Sequence, residues 1–104
     1  MVAATIKQFM DCQQVVFSGH AIQRMFERGI GRDEVLAVIA QGETIAEYAD
    51  DKPYPSRLLL GFAKSKPLHV VLACDDATAL CMVITVYEPT LEHWSGDFRT
   101  RTIR

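Results

Sequence analysis

Apolar residues recur every three or four positions over the first 42 residues, and every second position or in unbroken runs thereafter. The first rhythm is that of helices and the second that of strands. Residues 3–12 place Ile6, Phe9 and Met10 on one face of a short amphipathic helix. Val15–Phe17 is a brief apolar run that reads as a strand or as a docking segment. Ser18 to Gly29 is a clearer helix, with Ala21, Ile22, Met25 and Phe26 as its apolar stripe, Ser18 suited to the N-cap and Gly29 to the stop. Gly31-Arg-Asp-Glu opens another, with acidic residues in the first turn where the dipole favours them. Val35, Val38 and Ile39 form its buried side and Gly42 ends it.

From residue 43 the period changes to that of strands. Residues 43–49, 57–64, 68–74 and 80–87 each read as a strand. Asp50-Asp-Lys-Pro-Tyr-Pro-Ser56, Ser65-Lys-Pro67 and Asp75-Asp-Ala-Thr78 are the turns between them. Connections this short require antiparallel neighbours. The expected fold is therefore α+β: two or three N-terminal helices packed on one face of a four-stranded antiparallel sheet, in one domain over residues 1–104. A hairpin about residues 75–78 would set His69 nearly opposite Thr85, with Tyr87 on the same face. Leu68, Val70 and Leu72 would then join Met82, Ile84 and Val86 against the helices. The residues after Pro89 read as a polar tail around Trp94 and Phe98, either covering the open sheet face or making a dimer contact.

Composition adds limits. An apolar fraction of 49% and a charged fraction of 23% fit an ordinary globular domain. No apolar run approaches the roughly 20 residues of a membrane span, and residues 1–7 lack the features of a signal peptide. Cys12, Cys74 and Cys81 are odd in number and lack metal-type spacing, so they read as core thiols of a reducing compartment. Cys74 and Cys81 would lie near each other across the hairpin, open to oxidation in air. The cytoplasm is the expected location, with no cofactor, no metal and no membrane association. The net charge of −2 argues against a general nucleic-acid coat, yet Arg24, Arg28 and Arg32 form a local basic group.

On the helix from Ser18, His20, Arg24 and Arg28 follow one another with a drift of only about 40° per step. An imidazole beside two guanidiniums suits an anionic partner. The plain alternative is a solvated face with Glu27 pairing to an arginine. His69 interrupts the apolar run Leu68–Leu72 and is either a hydrogen-bonded structural residue or a chemical one. Tyr87 reads more readily as packing. Two prolines hold Tyr54 in a loop, where it could stack on a base while Arg57 meets phosphate, or simply stiffen a turn.

Taken together, His20-Ala-Ile-Gln-Arg-Met-Phe-Glu-Arg-Gly-Ile30, Tyr54-Pro-Ser-Arg57, Pro67-Leu-His-Val-Val71 and Ile84-Thr-Val-Tyr87 resemble the bacterial family called domain of unknown function 4258. The resemblance covers about residues 18–94. Beyond it lies a fold-level similarity to RelE-like and barnase–EndoU–colicin-type toxin nucleases, which cut RNA without metal. That similarity implies His20 and His69 as the acid/base pair, with Arg24 and Arg28 on the scissile phosphate and Thr85 and Tyr87 orienting His69. RNA is then the expected partner, and an acidic antitoxin-like protein or a second copy of the chain are further ones. The rival expectation is a non-catalytic interaction or regulatory module of the same fold, favoured by the acidic total charge.

Overall fold

Seven elements follow one another along residues 12–101, the part of the chain that the structure, a computed structural model, describes. They are β1 (Gln14–Phe17), α1 (Gly19–Arg28), α2 (Arg32–Gln41), β2 (Glu43–Tyr48), β3 (Ser56–Ala63), β4 (Lys66–Asp75) and β5 (Leu80–Tyr87). The helix expected over residues 3–12 lies outside the described residues, apart from Cys12. Ser18 caps α1, its hydroxyl accepting from Ala21 N–H at 3.0 Å. Gly29 ends the helix in the left-handed region at φ 67°, which glycine adopts without a Cβ penalty. Glu34 opens α2 by reaching back to the Gly31 N–H at 3.0 Å. That bond and nearby Lys64 hold its carboxyl below the usual range.

The sheet has five strands, not four, in the order β1-β5-β4-β3-β2, and it is mixed, not antiparallel. Gln14–Phe17 pairs in parallel with Leu80–Val83, while every other neighbouring pair is antiparallel. The short loops correctly required antiparallel neighbours from β2 to β5. They had no bearing on β1, which joins the far edge of the sheet after a long separation in sequence.

Both described helices lie on one face. Ala21 and Met25 of α1 and Val35, Val38 and Ile39 of α2 form the core with Leu59, Leu68, Val70, Leu72, Cys74, Cys81, Val83 and Val86. Gly61 lets α2 settle close onto β3, since a Cβ there would stand 2.8 Å from Val38 Cγ2. Of the β5 residues expected in this core, Val86 is there, whereas Met82 and Ile84 are misplaced by parity. The β4–β5 register shifts between Val71 and Leu72, which inserts one residue into β5. Val83 and Cys81 therefore turn to the helices while Met82 and Ile84 stay exposed. The same bulge sets His69 opposite Tyr87 and Val71 opposite Thr85.

The second face is covered by the C-terminal segment. Leu58, Leu60 and His69 are buried there beneath Trp94. Trp94 bridges to Arg101, and Arg99 binds Glu43 of β2 at 2.8 Å. Cys12 is joined to Cys81 by a disulfide, contrary to the expectation of three free thiols, and Cys74 is the free cysteine. No described helix is long and apolar enough to cross a membrane.

Candidate functional site

Of the polar groups singled out from the sequence, His20, His69, Thr85 and Tyr87 lie around the C-terminal half of β5. β1 pairs only as far as Val83, so β5 continues past it with an unpaired edge. Ser18 fastens α1 to that edge: its N–H donates to Val83 O at 3.0 Å and its hydroxyl to Ile84 O at 3.0 Å. This brings the first turn of α1 beside Thr85, and His20 Nε2 meets Thr85 Oγ1 at 3.1 Å. His20 is exposed. The predicted partner of Thr85 was His69; the actual one is His20.

Arg24 follows one helical turn along. Its Nη1 lies 3.2 Å from Glu27 Oε1, and Gln23 donates to the other carboxylate oxygen, also at 3.2 Å. The pair is half-exposed and worth little to stability. Arg28 reaches a different place, a cavity of about 180 Å³ lined also by Lys64, Lys66, Glu34 and Glu88. His20 to Arg28 spans about 12 Å along the helix axis. With Lys66 beyond, these cations form a broken line along one border of the molecule.

His69 is sealed, with 0% of its surface exposed. Its Nε2 lies 2.9 Å from the Phe98 carbonyl, which can only accept, so Nε2 carries the proton. Nδ1 is then free to accept from the Tyr87 hydroxyl at 3.2 Å. Trp94 and Tyr87 pack edge-on against the ring, with centroids 4.4 and 5.2 Å away. Burial pushes its pKa below the ordinary histidine value, against a smaller opposing effect of the Phe98 carbonyl. The imidazole thus has both nitrogens engaged and no exposed surface.

Tyr87 lines a second cavity, of about 250 Å³, with Tyr48, Trp94, Arg99 and Arg101 among its walls. Burial raises its hydroxyl pKa, nearby Tyr48 adds to the rise and Arg101 opposes it, so Tyr87 stays a proton donor. Tyr48, Arg101 and the Lys64/Lys66 pair were not foreseen. The two lysines bracket the β3–β4 turn and were legible as a basic hairpin tip; Arg101 sits in a tail whose docking had no periodic signal.

Tyr54 and Arg57 belong elsewhere. Tyr54 stands exposed in the β2–β3 connection. Arg57 is paired in register with Leu72 and Glu47, and its charge acts on the Cys74 thiol. Cys74 lies five residues along β4 from His69, about 17 Å. These two residues do not share the His20–Thr85 site. The one cluster of three ligand-type side chains among the described residues, Cys12 with Cys74 and Cys81, lies at that same distant end, two of its sulfurs joined as a disulfide.

Residues 17–88 match the family model described as Domain of unknown function (DUF4258). No curated protein and no solved structure matches the chain.

Proposed function

Because the chain belongs to the DUF4258 family, whose description states no activity, we propose from the site itself that this protein binds RNA and cleaves it without metal, His20 taking the substrate proton. The observation that carries the reading is the junction of an exposed histidine, held by Thr85, with the arginines that follow it on the same helix. The N–H groups of Gly19 and His20, at the positive end of α1, have no acceptor among the described residues and add to the attraction for phosphate. Arg24 grips the phosphate, at the cost of its exposed pairing with Glu27. Arg28 and Lys66 extend contact along the strand. Tyr87 keeps its proton at neutral pH but directs it to His69 Nδ1, so its oxygen offers a ligand an acceptor on the tail side of β5. His69 is not part of the acid/base pair in this reading; it fixes the direction of the Tyr87 hydroxyl.

The test is incubation of the purified protein with mixed RNA in EDTA, with His20→Ala and Arg24→Ala as variants on exposed positions. Wild-type cleavage that falls by at least about 100-fold in His20→Ala supports the assignment. Cleavage unchanged in His20→Ala, or none by the folded wild type, discards it.

One observation favours a second reading, a protein-interaction module. On α1, Phe26 is 87% exposed and Ile22 55%, side by side at helical spacing where an inward stripe was expected. An acidic partner with an apolar anchor would suit this helix. Tight RNA binding that Phe26→Asp leaves unaltered would count against it.

A further inference from the structure

Three sulfurs converge where β1 begins, β4 ends and β5 begins. Cys74 and Cys81 are directly opposite in register, and their Sγ atoms lie 3.5 Å apart. All three Sγ atoms, including that of Cys12, lie within 4.8 Å of one another. Cys74 and Cys81 are buried, while Cys12 is partly open. The Cys12–Cys81 bond leaves Cys74 as a third sulfur with no assigned work.

A thiol beside a disulfide suggests exchange, but the arrangement is wrong for it. Attack on Cys81 in line with the existing bond would put Cys74 Sγ about 5.5 Å from Cys12 Sγ. The three atoms are more tightly gathered than that. A triangle of sulfurs matches a shared central ligand instead. Metal–sulfur bonds of about 2.3 Å hold three thiolates roughly 3.8–4.0 Å apart. Cys74 and Cys81 already approach this spacing, so only Cys12 must withdraw, and it stands at the outer corner.

We propose that, once reduced, Cys12, Cys74 and Cys81 bind one thiophilic d10 cation, Zn²⁺ before Cu⁺. A dithiol or phosphine reductant supplies the two electrons that break the Cys12–Cys81 bond, giving two thiols and the oxidised reductant. Zn²⁺ then displaces three protons and forms three Zn–S bonds. The choice of ion rests on charge: three thiolates leave −1 with Zn²⁺ and −2 with Cu⁺, and the more negative set is harder to bury. Arg57 offsets part of that charge at Cys74, and Asp76 opposes it. Water can complete the fourth position from the open side of Cys12. This site is independent of the RNA reading and lies at the other end of the sheet.

The experiment uses the full chain, reduced with a phosphine under argon and titrated with Co²⁺ and then Zn²⁺. The expected result is one Co²⁺ per chain with a thiolate-to-cobalt charge-transfer band, bleached by one equivalent of Zn²⁺. Cys74→Ser and Cys12→Ser should each weaken uptake by at least about 100-fold, and the oxidised protein should bind none. Circular dichroism checks folding; if Cys74→Ser unfolds, Cys12→Ser, at a partly open position, decides. Absence of the band in reduced, folded protein overturns the site, as does undiminished uptake by the Cys12→Ser variant. Uptake of Cu⁺ without Zn²⁺ overturns the choice of ion.

Discussion

A histidine in an apolar strand poses a choice that burial resolves. His69 donates to the Phe98 carbonyl and faces the Tyr87 hydroxyl, so its neutral form is fully satisfied. Because burial depresses its pKa, the folded protein holds fewer protons at this residue than the unfolded chain does. Stability from this source is complete above about pH 6.5 and is lost as pH falls toward the lowered folded value. Urea midpoints at about pH 7.5 and about pH 5 should show the decline, and His69→Gln should flatten it. An unaltered slope in the variant would assign the decline to other groups. His69→Ala should lower stability by about 2–4 kcal/mol, through the cavity and the abandoned Tyr87 hydroxyl. That makes it a poor probe of activity, unlike His20→Ala. The sequence identified both histidines as unusual, but their partners depended on one inserted residue in β5. Alternation carries no mark of such a bulge.

At the scale of elements, caps and periods were readable and packing partners were not. Ser18 and Gly29 bound α1 as their chemistry requires. Its apolar stripe was read as wide enough to take in Ile22 and Phe26, yet a single strand, β5, covers it, and only Ala21 and Met25 are buried. Phe26→Asp should therefore leave the denaturation midpoint nearly unchanged, within about 0.5 kcal/mol. A large loss would mean that Phe26 is covered in solution. α2 is the opposite case. Val38 presses on Gly61, and the room for it exists only because that strand position lacks a Cβ. Gly61→Ala should cost about 1–3 kcal/mol in urea denaturation, as overpacked cores do. A neutral result would show that α2 can lift from β3 without penalty.

For the molecule as a whole, the strands from β2 to β5 follow from local turns, whereas the two ends of the chain obey no local rule. The C-terminal segment shields one sheet face through Trp94 and the Arg99–Glu43 pair. β1 extends the sheet beyond β5, pairing Gln14 with Leu80 across 66 positions. Neither placement leaves a period or a turn motif, so the sequence suggested a smaller sheet and left the tail between covering its face and a dimer contact.

That parallel edge reverses the order in which the chain is made. During synthesis β1 and α1 leave the ribosome first, but the strand that both rest on leaves last. β2, β3 and β4 can pair as they emerge, each with the strand before it. β1 must wait for Leu80–Val83, and the buried side of α1 for the rest of β5. A fragment ending at Asp75 should therefore expose α1 and β1 to protease while its central strands resist. Adding the last strand then closes the sheet and seats β1 and α1 together.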